Sequence, residues 1–525
     1  MSDESPHRPY YITTAIPYVN ARPHIGFAME LVLTDVQARY RRLRGDDVRF
    51  LTGTDENSLK NVQAAEAEGV PTAVLVERNA RAFHALREVL GLSFDDFIRT
   101  SADARHRAGV EKLWKACADQ GDIYKRAYRG LYCVGCEQFY AESDLPDGRC
   151  LEHGTRPELV EEENYFFRLS RYQTHIESLL SSGRLRVTPD GYRNEVLALV
   201  RSGLEDFSIS RSSTRARGWG IPVPGDASQV MYVWFDALGN YITALDYATH
   251  GDLYRRYWAD NPTITHVLGK GITRFHAVYW PAMLLSAGIA TPSTVAVHGY
   301  VTVDGQKIGK SLGNAIDPEH VVAVHGADVI RYFLCRHIRS GRDGDFNAAA
   351  ICRARDSELA DQLGNLLRRT TNMIERYHDG RVPPAATGPS PFAAQVADVQ
   401  RRYERAFDDF RLDDALAAAW SLVETANKYV VEREPWKLAK RRPDPVADAD
   451  LAATLYDLAE LLRIAAWLVA PFMPHAAAEI LRQLGLTEVH DGDWTDATRW
   501  GLLEPGTQVR SGEPLFPKAN RAEAS

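Results

Sequence analysis

Cysteine is scarce, with six in 525 residues. So few thiols in so long a chain do not suggest a disulfide framework, and a reducing cytosol is the expected setting. Long apolar runs are missing too. Leu461 to Ala470 is broken by Arg463 and followed by Pro471 and Pro474, short of the ~20 residues a membrane helix needs. The polar stretch from Met1 to Tyr10 holds no signal-peptide core. Excess positive charge is lacking as well, the formal net charge being −8. That argues against a wholly basic nucleic-acid binder, although phosphate contacts need only a local basic surface. Arginines do gather at 331, 336, 339, 342, 353, 355, 368, 369 and 376, where a solvated helical face is the plain alternative.

What is present is an ordinary globular composition, 45% hydrophobic, on a chain long enough for two or more domains. Tyr10 to Ile16 predicts a strand stopped by Pro17. A helix is expected after Gly26, with Met29, Leu33, Val36, Tyr40 and Leu43 on one face, and a second strand at Val48 to Leu51. Strand, turn, helix, strand is the start of a doubly wound α/β sheet. Between about Ile123 and Pro224 the texture turns to short segments rich in Gly, Tyr and Cys, an expected insertion. Strand–helix alternation resumes at Met231 to Tyr247, Thr265 to Leu268 and Thr294 to Val303. From about Ala348 the pattern is helical, with loops at Pro383–Pro391 and Pro443–Pro445 and a loose tail of some fifteen residues.

Four constellations bear on chemistry. Pro23-His24-Ile25-Gly26-Phe27 falls between first strand and first helix, where unpaired N–H groups and the helix dipole suit a phosphate; a turn with an incidental histidine is the alternative. Asp304 to Asn314 places Lys307 and Lys310 three apart on a glycine-punctuated loop, a cationic clamp for polyphosphate or an exposed basic turn. Cys133-x2-Cys136 and Cys150-x2-His153, thirteen residues apart, fit a tetrahedral Cys₃His zinc site. Four protein ligands leave no open position, so the zinc would be structural. The aromatic string Tyr232 to Leu238 with Tyr241, and Phe275-His276 with Tyr279-Trp280, is either core or pocket.

Together these residues resemble the class I aminoacyl-tRNA synthetases, and within them the methionyl-tRNA synthetase family, over nearly the whole chain. His24-Ile25-Gly26-Phe27 matches the HIGH motif and Lys307-Ile308-Gly309-Lys310-Ser311 matches KMSKS. Further methionine-specific strings are Thr14 to Tyr18, Leu51 to Glu56, Tyr232 to Tyr241 and His298 to Val303. The resemblance implies a Rossmann-type parallel sheet split by a zinc-bearing connective insertion, then an α-helical anticodon-binding domain. The expected boundaries are 8–117 and 229–298 for the two catalytic halves, 118–228 for the insertion, 299–348 for the KMSKS-type loop and stem-contact region, and 349–525 for the helical domain. It implies activation of methionine with ATP and transfer to tRNA(Met), by a cytoplasmic enzyme, expected to be a monomer.

The site residues implied are His24, Lys307 and Lys310 for catalysis, with Pro23, Gly26, Phe27, Glu30, Gly271 and Ser311 joining them around ATP and its Mg²⁺. Asp55 would hold the methionine ammonium. Ile16, Tyr18, Val233, Trp234, Ala237, Leu238, Tyr241, His276 and Trp280 would line an apolar slot suited to a polarizable thioether. Asn365, Arg369 and Trp436 would read the anticodon by stacking and edge contacts, and Cys133, Cys136, Cys150 and His153 would hold zinc. The chain departs from the family's pattern at Phe27, Asn57, Gly271 and Ile308-Gly309, all assigned to the ATP side. Those departures leave three other readings open: a catalytically weak paralogue that binds tRNA, an inhibitor-resistant second copy, and a relative specific for leucine, isoleucine or valine. The last is opposed by an insertion too short for an editing domain.

Overall fold

A computed structural model describes residues 7–133, 138–140, 145–150, 154–303, 305–308 and 313–518. Its centre is a six-stranded parallel sheet. Strand β1 (Pro9–Thr14) lies between β2 (Asp47–Thr54) and the strand Ile264–Gly269; β3 (Asp96–Arg99) flanks β2, and Thr294–His298 then Arg186–Thr188 complete the other side. Tyr10, Tyr11, Ile12, Thr13 and Thr14 are all buried, as a central parallel strand covered on both faces requires. The first strand ends two residues sooner than expected; the Ala15 N–H just past it is shared between Val267 O on the neighbouring strand (3.1 Å) and the Glu30 carboxylate (2.9 Å).

Helix α1 (Ile25–Leu43) starts at Ile25, one residue before Gly26, because His24 caps it. Its apolar stripe packs under the sheet and, at its far end, against the helical domain: Tyr40 stacks on Phe407 at 3.9 Å. The insertion forms a four-stranded antiparallel sheet from Ile123–Cys133, Gln138–Tyr140, Glu158–Phe167 and Phe207–Ser208, beside a three-stranded one. Strand Arg186–Thr188, inside the expected insertion, instead pairs in parallel with Thr294–His298. Three residues with no alternation carried too little signal for this to be legible in the sequence.

Beyond residue 348 the described chain is helical, with Asn365–His378, Ala393–Asp408, Leu412–Arg433 and Pro445–Val469 as its long members. No described helix is long and apolar enough to cross a membrane. Two expectations need correction. The last residues are not loose as far as Lys518, since Val509 and Phe516 are buried and the Ser511 amide donates to Glu375 at 2.7 Å. The arginines do not share a solvated face either. Arg331 is fully buried, paired with Asp35 at 2.8 Å and donating to the Leu90, Pro471 and Phe472 carbonyls. Burial alone would raise the Asp35 carboxyl, but Arg39 and Arg331 outweigh it and bring it to about 2. This pair clamps α1 to the helical domain.

Candidate active site

In a doubly wound sheet, ligands bind beyond the carboxyl ends of strands where the strand order reverses. Here that point lies between β1 and Ile264–Gly269, and a cavity of about 370 Å³ opens there. Ile16, Tyr18, His24, Gly26, Phe27, Glu30, Asp55, Trp234 and Gly271, all expected site residues, line it. So do Ala15, Pro17, Gly269, Ile272, His298, Gly299, Tyr300, Val301 and Ile308, to which the sequence assigned no role.

His24 is the N-cap of α1, and its Nδ1 accepts from the Gly26 N–H at 3.1 Å. Burial lowers its pKa, favouring the neutral ring. A neutral imidazole whose Nδ1 accepts must carry its proton on Nε2, leaving that nitrogen as a donor, while the Ile25, Gly26 and Phe27 amides at the helix start are bonded to Ile316 O, His24 Nδ1 and His24 O. Pro23, buried just before it, does not line the cavity. A β-carbon on Gly26 would lie 3.0 Å from the imidazole Cε1 and 3.8 Å from Ile308 Cδ1. Glycine therefore lets the ring fold back on the helix, and the two signature motifs meet here although far apart in sequence. Phe27 packs edge-on against Phe83 at 5.0 Å. Lys307 lies in the strand Gln306–Lys307; Gly309, Lys310 and Ser311 lie outside the described residues.

Glu30 lines the cavity, but its carboxylate is already engaged. It accepts from Ala15 N (2.9 Å) and Gly269 N (3.1 Å) and pairs with His298 Nε2 (2.9 Å). One side chain thus ties α1 to the ends of three sheet strands. Asn57 is not on the cavity wall: its amide donates to Asp236 (2.7 Å), whose other oxygen meets His106 Nε2 at 2.6 Å. That departure from the family's pattern therefore sits in a buried support network rather than beside a phosphate.

Asp55 is buried, its N–H donating to Pro17 O at 2.8 Å just past the end of β2. Trp234 stacks on Phe275 at 3.9 Å, and no hydrogen-bond partner for its Nε1 occurs among the described residues. Val233, Ala237, Leu238, Tyr241, His276 and Trp280 do not line the open cavity; they are buried residues beyond Trp234, which meets His276 edge-on at 6.3 Å. Burial lowers the His276 pKa to about 4 and raises that of Tyr241. His276 Nδ1 lies 3.0 Å from the Ile272 carbonyl, which can only accept, so Nε2 accepts from the Tyr241 hydroxyl at 2.7 Å. This region is polar yet uncharged, a surface that suits a thioether better than an ionic side chain.

In the helical domain, Asn365 and Arg369 lie one turn apart on Asn365–His378, and the Arg369 guanidinium sits 5.6 Å over the Trp436 ring. In the insertion, Cys133 and Cys150 are both buried. Gly154 N closes a tight turn on the Cys150 carbonyl at 2.7 Å, and Cys150 Sγ lies 3.9 Å from Tyr140 Oη on the hairpin that carries Cys133. Cys136 and His153 lie outside the described residues.

The family described as tRNA synthetases class I (M) matches residues 10–150 and 140–371. The anticodon binding domain of methionyl tRNA ligase matches 385–525. A methionine–tRNA ligase of Brucella suis is 43% identical over 521 residues, 98% of each chain. One from Mycobacterium tuberculosis is 43% identical over 520 residues, covering 97% of this chain and 98% of its own. The solved structure of the Mycobacterium tuberculosis methionyl-tRNA synthetase in complex with methionyl-adenylate superposes with a TM-score of 0.92 at 42% identity, covering 97% of this chain and all of that one. The free-state structure of that synthetase gives 0.86 at 39%, covering 98% and 99%. With its two halves matched in order and its full length shared with these relatives, the chain belongs to the methionyl-tRNA synthetase family of class I aminoacyl-tRNA ligases.

Proposed function

We propose that the chain activates methionine with ATP and transfers it to tRNA(Met). The observation that carries this is the convergence of three chemistries in one cavity at the sheet's switch point. They are a helix N-terminus with a neutral histidine donor, a buried carboxylate, and a wall of uncharged aromatic groups. Asp55 holds the substrate ammonium, and the thioether enters between Ile16, Tyr18 and Trp234 toward His276. The methionine carboxylate attacks the α-phosphorus, the bond to the bridging oxygen breaks, and pyrophosphate leaves. His24 Nε2–H and the positive end of the α1 dipole stabilise the charge that develops on the phosphates. Lys307 and Lys310 would pair with the β- and γ-phosphates, where bound Mg²⁺ would supply further counter-charge. The terminal ribose hydroxyl of the tRNA then attacks the acyl carbon and AMP leaves. Positioning and electrostatics suffice, with no covalent enzyme intermediate.

Family membership over both domains favours the ligase over a binding-only paralogue. The reaction is tested by charging tRNA(Met) with labelled methionine. Acyl-tRNA formed with methionine and not with leucine or isoleucine supports it; no charging by folded protein sinks it. The same assay reads the anticodon surface. Trp436→Ala is expected to raise the KM for tRNA by about 5- to 100-fold, the value of one lost base stack, with methionine activation unchanged. An equal loss in activation without tRNA would contradict that role.

Cys133 and Cys150, two buried thiols beside one hairpin, fit a zinc knuckle completed by Cys136 and His153. Such an ion would fix the fold of the insertion and take no part in bond making. Metal analysis should find about one zinc per chain, the number one four-ligand site holds, and Cys150→Ser should abolish it; a variant keeping full zinc would remove this cysteine from the ligand set. A cytoplasmic monomer is the proposed state, and sedimentation at micromolar concentration distinguishes it from a dimer.

A further inference from the structure

The loop that carries Asp55 is tied down residue by residue. Asp55 N donates to Pro17 O, and Glu56 N donates to Thr100 Oγ1 at 2.8 Å. The Glu56 carboxylate accepts from Arg99 Nε (2.7 Å) and the Thr54 hydroxyl (2.9 Å). Trp219, reaching in from the insertion, donates its indole N–H to Glu56 O at 2.7 Å. Asn57 points to a different partner. Its side-chain amide donates to Asp236 Oδ2 at 2.7 Å, and Asp236 belongs to the short helix Val233–Leu238, which also carries Trp234.

Asp236 is fully buried, and a carboxylate is tolerated in such a place only where donors meet it. Asn57 supplies one. His106 Nε2 supplies the other at 2.6 Å, and this buried ring has its Nδ1 2.9 Å from the Thr243 hydroxyl. A helix of six residues has little stability of its own. Contacts of this kind therefore set the orientation of Val233–Leu238, and with it the place of the Trp234 indole. Asp55 and Trp234 both line the cavity, the first at the ammonium end of the amino acid and the second beside its thioether. A stiff tie between the segments that carry them fixes the distance an amino acid has to span.

We propose that Asn57 and Asp236 are positioning residues that set the length of amino acid accepted, by holding the Trp234 helix at a fixed separation from the Asp55 loop. The inference rests on the ligase reading and adds to it the origin of discrimination between thioethers of different length. It also moves Asn57 from the ATP side, where the sequence put it, to the amino-acid side.

The test is ATP–pyrophosphate exchange with methionine and with ethionine, which is longer by one methylene. In the unaltered chain kcat/KM should favour methionine by about 10- to 200-fold, the value of one methylene in an apolar slot. Asn57→Ala cuts the tie while His106 still meets Asp236. It should reduce that preference about three- to tenfold, as for one hydrogen bond, and leave the KM for ATP unchanged. Asn57→His keeps a ring N–H for Asp236 and should restore the preference. Asp236→Asn should match Asn57→Ala, and the two combined should be no worse than either alone, because they break the same tie. Asn57 is only half-buried, so its variants decide the matter even if Asp236→Asn does not fold. An unchanged preference in Asn57→Ala would overturn the proposal, as would Asn57→His behaving like it. Equal falls for methionine and ethionine, or a matching rise in the KM for ATP, would also overturn it, since they mark a general distortion. If the unaltered chain gave no exchange, the ligase reading would fail. Calorimetric titration with the two amino acids would then decide the tie by the ratio of affinities, and binding of neither would end both readings.

Discussion

His24→Ala is expected to lower the rate constant for methionine activation by about 10²–10³-fold, the usual cost of removing one preorganised donor from developing charge. The KM for methionine should stay within about twofold, because a group used mainly in the transition state contributes little to ground-state binding. The geometry behind this is the cap on α1. Nδ1 accepts from Gly26 N–H at 3.1 Å, which leaves the proton on Nε2. His24→Asn offers a shorter donor from the same cap position and should recover part of the loss. The pH dependence has a definite sign. Burial lowers the His24 pKa, so the neutral ring persists at and somewhat below the ordinary histidine value of about 6.5. Protonation at lower pH would take the acceptor away from Gly26 N–H. Activation should therefore hold down to that pH and decline only below it, as read by stopped-flow formation of the adenylate. A fall in methionine affinity equal to the fall in rate would move His24 from catalysis to pocket structure.

Asp55→Ala should raise the KM for methionine by about 10²–10³-fold, since removing one partner of a buried charge pair costs about 3–5 kcal/mol. Asp55 is 3% exposed at the cavity wall, anchored by its N–H on Pro17 O and its carbonyl on Asn61 Nδ2 (3.1 Å). Those backbone contacts survive the substitution, so the fold is not at stake. The KM for ATP should not move. Calorimetry with des-amino methionine isolates the charge: this ligand should bind the altered and unaltered chains alike, whereas methionine should lose most of its affinity. If both ligands weakened equally, Asp55 would be supporting the pocket and not the ammonium.

What was legible beforehand was the chemistry attached to motifs. The string Pro23 to Phe27 marked the turn into α1, one residue from its start, and Val48 to Leu51 marked the second strand, which runs three residues further and ends just before Asp55. What stayed hidden depended on distant partners. Nothing in a single sequence says that the Glu30 carboxylate serves the Ala15 and Gly269 amides and His298. Nor does it say that Asn57 is spent on Asp236. Nor does it show that a β-carbon at position 271 would meet the Tyr300 hydroxyl. Arg331 was counted as a surface charge because Asp35, its buried partner, comes nearly three hundred residues earlier. Strand Arg186–Thr188 escaped because three residues on a sheet edge have no period to detect.

The central claim is methionine adenylation in the cavity at the switch point, and methionine-dependent ATP–pyrophosphate exchange tests it most directly. Exchange with methionine, absent with leucine and isoleucine and strongly reduced in His24→Ala, is the predicted result. Folded protein that binds tRNA(Met) yet gives no exchange with methionine, or equal exchange with leucine, would contradict it.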